Sequence, residues 1–296
     1  MGAQMPSFRA GTSQPRAPMQ PGISPAQAMI LGIVEGLSEY LPVGSTGHLH
    51  VVESLLGLWA TPEGKSAMDA YAICIQIGAI IAMLIISFGS IKAMARGIVG
   101  HNRDGLRLLG NLVVAFVPAA LIGLILKESI KQYLYGIWPV VGAWIVGGVF
   151  ILAAMTRTPG QEGAAMERLT WRAAFMIGIT QVLALWPGVS RSLVTIAGGM
   201  FVGLSVSAAV EFSFLLGLVT LGAVTISEAL KLGPLIVSNF GWVSPIVGLL
   251  TATVSAIIAV RWMIGYLRTR TVAIFGWYRI VIGVLVAALA IGGLIH

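Results

Sequence analysis

The chain has 296 residues, of which 57% are hydrophobic and only 10% charged, and a formal net charge of +7. A soluble domain carries about 25% charged residues, so this composition, with a mean hydropathy of +0.92, excludes an ordinary soluble protein and reads as an integral membrane protein. The positive charge then belongs to cytoplasmic loops rather than to a nucleic-acid face, and the single cysteine, Cys74, excludes an internal disulfide.

Residues 1–22 are rich in Pro, Gly, Ser and Gln and are predicted to be a disordered tail, ahead of a single membrane domain over 23–296. Apolar runs of spanning length, about 18–23 residues each, fall near 69–89, 109–126, 137–155, 207–229, 242–264 and 273–295. Two further stretches, 24–50 and 171–203, are apolar but broken, at Pro42-Val43-Gly44 and at Pro187-Gly188. Each reads as a pair of half-helices, tolerable at membrane depth only where buried in protein or facing a wet cavity.

Loop charge decides whether the broken stretches cross. Loop 90–108 holds Lys92, Arg96, Arg103 and Arg107 against Asp104, and loop 156–172 holds Arg157, Arg168 and Arg172 against Glu162 and Glu167. Loop 261–272 holds Arg261, Arg268 and Arg270 with no acid. The positive-inside rule places all three in the cytoplasm, which works only if 171–203 enters the membrane and returns. The broken stretches also resemble each other: Leu31-Gly32-Ile33-Val34-Glu35 aligns with Ile177-Gly178-Ile179-Thr180-Gln181, and Leu37, Tyr40 and Val43 align with Leu183, Trp186 and Val189. The predicted fold is therefore an all-α integral membrane protein of about six transmembrane helices plus two re-entrant hairpins. Its two halves, about 24–155 and about 171–295, form an inverted-topology repeat with a site at their interface and both termini external.

The chemistry concentrates in the hairpins. Glu35 and Glu39 lie four apart and share a helix face; carboxylates at membrane depth mark a functional site by default. Two close carboxylates in low dielectric do not both stay ionised cheaply, so either one is protonated or a cation bridges them. Oxygen ligands suit Mg²⁺ or Ca²⁺. In the segment PVGSTGH, Pro42 ends the first half-helix, and Ser45 or Thr46 can cap the next, whose free N–H groups make an anion site. His48 can serve as nucleophile, general acid or general base. In the second hairpin, PGVSRSLVT sets Ser190 and Ser192 around Arg191, a bidentate binder of phosphate or carboxylate, with Thr195 on the same face. The alternative for Arg191 is a salt bridge to Glu35 or Glu39 across the repeat interface. Gln76 and Glu211 open apolar spans and are expected to support the site, while Tyr278-Arg279 is expected to anchor the last span at the interface. No Walker-type loop, CxxC pair or HExxH is present.

On EGLSEYLPVGSTGH, IQIGAI at 75–80, QVLALWPGVSRS, EFSFLLG at 211–217 and Tyr278-Arg279, the sequence resembles the undecaprenyl-diphosphate phosphatase family, bacterial membrane enzymes linked to bacitracin resistance. The resemblance runs over nearly the whole chain from about residue 24. It implies hydrolysis of a C55 polyprenyl diphosphate in the bacterial cytoplasmic membrane to its monophosphate, recycling the carrier for peptidoglycan synthesis. It also implies a required divalent cation, Mg²⁺ first and Ca²⁺ as the alternative, held at Glu35 and Glu39. Carried over by position, Glu39, Ser45, His48 and Arg191 are the catalytic set, and Thr46, Ser190, Arg191, Ser192 and Thr195 the phosphate-binding set. The expected partners are the polyprenyl lipid and the membrane, with a homodimer admitted and nucleic acid not. The chain departs from the family pattern at Gly44, where a serine is usual, and at Val219, where a proline is usual. A transporter of polyprenyl phosphate or another lipid phosphate is the reading from another functional class, favoured by the inverted repeat.

Overall fold

The computed structural model describes residues 23–58, 62–155 and 163–295; the predicted tail lies outside them. The first hairpin is α1 (Pro25–Glu39) and α2 (Ser45–Leu55), followed by α3 (Pro62–Ile86), α4 (Phe88–Ile98), α5 (Arg103–Leu134) and α6 (Ile137–Ala154). The second is α7 (Trp171–Gln181) and α8 (Arg191–Phe201), followed by α9 (Val206–Phe240), α10 (Val243–Leu267) and α11 (Ala273–Ile291). Local chemistry sets the helix starts. Ser24 accepts from the Gln27 N–H while the Gln27 side chain accepts from the Ser24 N–H, a reciprocal cap with Pro25 opening α1. Asn102 caps α5 and Thr170 caps α7 from one side only, each side chain accepting from the N–H three residues on.

Among the described residues, six helices are long and apolar enough to span a membrane: α3, α5, α6, α9, α10 and α11. They fall on the six predicted runs. The stretch predicted as loop 90–108 instead contains α4, an amphipathic helix whose Lys92 and Arg96 concealed it from a reading of apolar runs. α9, which carries Val219, runs for 35 residues.

The halves pack alike. α1 lies on α10 as α7 lies on α5, α3 touches α10 as α9 touches α5, and α3–α9 and α6–α11 pair across the halves. Both short helix pairs fold back on themselves. In the second, the Thr180 hydroxyl of α7 donates to the Val194 carbonyl of α8 at 2.9 Å, and in the first Leu31 and Leu49 share one buried cluster. α4 is the element without a counterpart. The main core gathers Tyr40, Met83, Leu112, Ile177, Ile196 and Phe214 from both halves, so the turns of the hairpins are held in the middle of the bundle rather than at its surface.

Candidate active site

The last residue of α1 meets the first residue of α8. Glu39 Oε1 accepts from Arg191 Nη2 at 3.1 Å, and Glu39 Oε2 accepts from the Ser45 hydroxyl at 2.5 Å. The pair is largely withdrawn from solvent, with side-chain exposures of 10% for Arg191 and 7% for Glu39. The cross-repeat salt bridge, one of the two readings of Arg191, is therefore present. Burial explains it: a guanidinium and a carboxylate enclosed by the same helices each need a partner. Glu39 thus stands between a cation that orients it and a hydroxyl that it can deprotonate.

Arg191 is held on three more sides. Its Nη1 donates to the Ser213 carbonyl of α9 at 3.1 Å, and its guanidinium lies 5.8 Å from the Tyr40 ring centre, within cation–π range. Tyr40 is fixed in turn by donating to the Ala79 carbonyl at 3.1 Å. Gly217 supplies the space: a Cβ there would stand 2.5 Å from Arg191 Cζ. Gly217→Ala is accordingly expected to leave α9 folded but to push the guanidinium off Glu39, costing about 10²-fold in turnover, the penalty of an ångström-scale misplacement. A turnover within twofold of wild type, with an unchanged melting curve, would show that Arg191 needs no such seat.

α2 begins without a side-chain cap. Its N-cap is Gly44 at φ +87°, not Ser45 or Thr46 as predicted, so the first N–H groups of α2 have no side-chain acceptor. Gly44 is required by more than its backbone angle, since a Cβ would lie 2.8 Å from the Gly188 carbonyl oxygen. Ser45 opens the helix, and Thr46 is exposed on the same turn. His48 lies one turn further on, with Nδ1 2.7 Å from the Gly44 carbonyl and Nε2 2.8 Å from the Tyr278 hydroxyl. A carbonyl only accepts, so Nδ1 carries the proton, and in the neutral ring Nε2 accepts from Tyr278. Both nitrogens of His48 are thereby occupied, and neither bonds Ser45 or Glu39.

α8 begins differently. Ser190 holds φ +70°, the one non-glycine residue with positive φ among those described, and caps the helix by accepting from the Leu193 N–H. Such strain persists where the surroundings over-determine it: Ser192 donates to the Leu41 carbonyl at 2.9 Å and stands 3.0 Å from the Ser190 hydroxyl. Thr195 donates to the Arg191 carbonyl and lies 2.6 Å from the Ser213 hydroxyl. Ser192 and Thr195 are fully buried, so they tie α8 to the first hairpin and to α9.

The sequence misjudged Arg279. Rather than anchoring α11 at an interface, it is fully buried and donates to three carbonyls: Pro42 at 3.3 Å, Ala143 at 2.7 Å and Gly188 at 2.9 Å. One guanidinium thus clamps the breaks of both hairpins to α6, and no carboxylate pairs with it among the described residues. The two residues expected to support the site make contacts of their own. Gln76 accepts from Thr225 at 2.7 Å in the α3–α9 contact, and Glu211 is exposed and accepts from Ser90 of α4. Glu35 is buried with Glu39 and Glu53 as its electrostatic neighbours. Glu53, on α2, is buried as well, and nothing in its spacing marks it.

Paired helical hairpins that bring an arginine, a glutamate and a serine together among membrane-spanning helices define a polytopic membrane protein with a hydrolase-like centre. The chain belongs to the BacA family: the model of bacitracin resistance protein BacA matches residues 28–285. An undecaprenyl-diphosphatase of Sorangium cellulosum is 41% identical over 88% of this chain and 84% of its own. Those of Nitrosospira multiformis and Pseudomonas syringae pv. tomato are 39% and 40% identical, over 91% and 89% of this chain and 96% and 93% of theirs.

Proposed function

We infer that the protein is an undecaprenyl-diphosphate phosphatase, a multi-pass enzyme of the bacterial inner membrane. It releases inorganic phosphate and returns undecaprenyl phosphate for peptidoglycan synthesis. Its family membership supports the activity, and the Arg191–Glu39–Ser45 relay carries the mechanism: a nucleophile bonded to a base that a third group orients. Glu39 takes the Ser45 proton as Oγ attacks the terminal phosphorus. The bond to the prenyl monophosphate breaks, and the leaving oxygen takes that proton. Water then attacks the phosphoserine, losing a proton to Glu39, and phosphate departs as Oγ regains its proton. The uncapped N–H groups of α2, with Thr46 beside them, are suited to the phosphate oxygens, and the charge of Arg279 adds to the field there. The bonds of Ser190, Ser192 and Thr195 favour a positioning role toward Arg191 over direct phosphate contact. His48, with both nitrogens engaged, is better suited to fix the start of α2 than to attack.

A divalent cation fits as part of this reading. No group of three or more acidic, histidine or cysteine side chains is set to hold a metal among the described residues. Mg²⁺, commonly held by one or two carboxylates plus substrate phosphates, would be the ion of this reading, with Ca²⁺ the alternative. Glu35 would hold it with Glu53 or Glu39, and the ion would supply charge neutralisation on the phosphates. The transporter reading is less favoured, because a nucleophile–base–orienter chain exceeds what binding alone requires.

The test is phosphate release from a C55 or C15 prenyl diphosphate by the purified protein in detergent, with Mg²⁺ and with EDTA. Ser45→Ala is expected to lose at least about 10³-fold in rate, and label from a ³²P-diphosphate should be trapped on Ser45 of the wild type. Near-normal turnover by Ser45→Ala would remove Ser45 as nucleophile, and unchanged activity in EDTA would remove the cation.

A further inference from the structure

Between α6 and the second hairpin lies a cavity of about 470 Å³. Its wall on α6 includes Gly142 and Val146, and its wall on the hairpin includes Leu183 and Val189. Phe150 and Phe201, which meet edge to face at 6.2 Å, also line it. The one hydroxyl in the lining, that of Thr180, is spent on the Ile177 and Val194 carbonyls, so the cavity offers nothing to a polar ligand. Leu183, Val146 and Phe201 are all more than half exposed, which leaves this wall open to the membrane.

Its near end adjoins the site. Ala143, whose carbonyl takes Arg279, lines the cavity, as does Gly147, against which the Arg279 guanidinium lies. Val189 lines it between Gly188 and Ser190. α8 therefore works on two faces: Arg191 and Thr195 turn to α9, while Leu193, Ala197 and Phe201 turn to the cavity. A lipid whose diphosphate reaches the hairpin turns must lead its tail away from them, and an apolar channel begins at Val189.

We propose that this cavity is the subsite for the head-proximal isoprene units of the polyprenyl tail. The proposal rests on the phosphatase reading for its ligand, but it is a claim about binding. The apolar lining suits a hydrocarbon chain without polar substituents, and a cavity of about 470 Å³ limits how much of that chain enters before it turns out into the bilayer.

Gly142 gives a clean test, because a Cβ there meets nothing within 4 Å and a larger side chain would occupy the cavity instead of displacing its walls. Gly110 is equally unobstructed but exposed on α5, away from the cavity, and serves as the control. Gly142→Leu is expected to raise KM for the C15 and C55 diphosphates at least tenfold with kcat within twofold, and Gly110→Leu to change neither. A C15 diphosphate bearing a diazirine on its third isoprene unit should label α6 or α8 near Phe150 and Phe201. That label should be displaced by C55 diphosphate and lost in Gly142→Leu. Labelling elsewhere, or an unchanged KM in Gly142→Leu, would overturn the proposal and leave the cavity to ordinary bilayer chains. Labelling of the cavity by a wild-type protein that releases no phosphate would uphold the subsite and overturn the phosphatase reading alone.

Discussion

Glu39→Gln is expected to lower phosphate release by about 10²–10⁴-fold, the usual contribution of a positioned general base, in a protein that still folds. Glutamine keeps an oxygen for Arg191 Nη2 but cannot take the Ser45 proton. Chemistry is lost and the link between the hairpins is kept. Glu39→Ala removes both, leaving Arg191 enclosed without its counter-charge, and breaking a buried pair from one side costs about 3–5 kcal/mol. The alanine variant should therefore lose activity and unfold at the lowest temperature in detergent, whereas the glutamine variant, which loses the counter-charge but keeps a hydrogen-bond acceptor for Arg191, should melt between alanine and wild type. Steady-state rates beside thermal melts separate the two effects. A Glu39→Gln protein that turns over near the wild-type rate would dismiss Glu39 as the base.

The second large effect is expected at Arg279. Arg279→Met withdraws the donors that join Pro42, Ala143 and Gly188, and three buried carbonyls lose a charged partner at once. A loss of about 3–5 kcal/mol in stability follows, together with about 10²-fold or more in kcat, because both breaks shift relative to Ser45 and Arg191. Arg279→Lys keeps the charge but not the planar fork. A single ammonium cannot reproduce the geometry that reaches three carbonyls on three segments, so an intermediate result is expected. Melting temperature and kcat measured on both variants check this. Full activity in Arg279→Met would mean that the hairpin turns hold their geometry through packing alone.

Much of the molecule was legible in the chain because membrane burial leaves strong marks. A span must be about 20 apolar residues, so six runs gave six helices. A carboxylate or guanidinium in such surroundings is conspicuous, so Glu35, Glu39 and Arg191 could be picked out without a structure. The start of α2 was harder. Ser45 and Thr46 are good caps by type, but the turn needs φ +87° at the capping position, and only Gly44 meets it cheaply. α4 was missed because eleven residues with Lys92 and Arg96 among them give no span signal.

Arg279 marks the boundary between what the chain declares and what the fold decides. It sits six residues into α11, where a long basic side chain ordinarily reaches back to the interface. Nothing in its neighbours says that three carbonyls from residues 42, 143 and 188 wait on its inner side. Composition and the spacing of apolar runs by themselves determined a helical membrane protein, its broken hairpins and the residue types of its centre, because those features are local and the bilayer penalises exceptions to them. Which charge would pair with which was settled only by tertiary structure. Glu39 takes Arg191 while Arg279 takes backbone, because pairing depends on distances across segments 91 to 237 residues apart in the chain, and side-chain spacing carries no information about those.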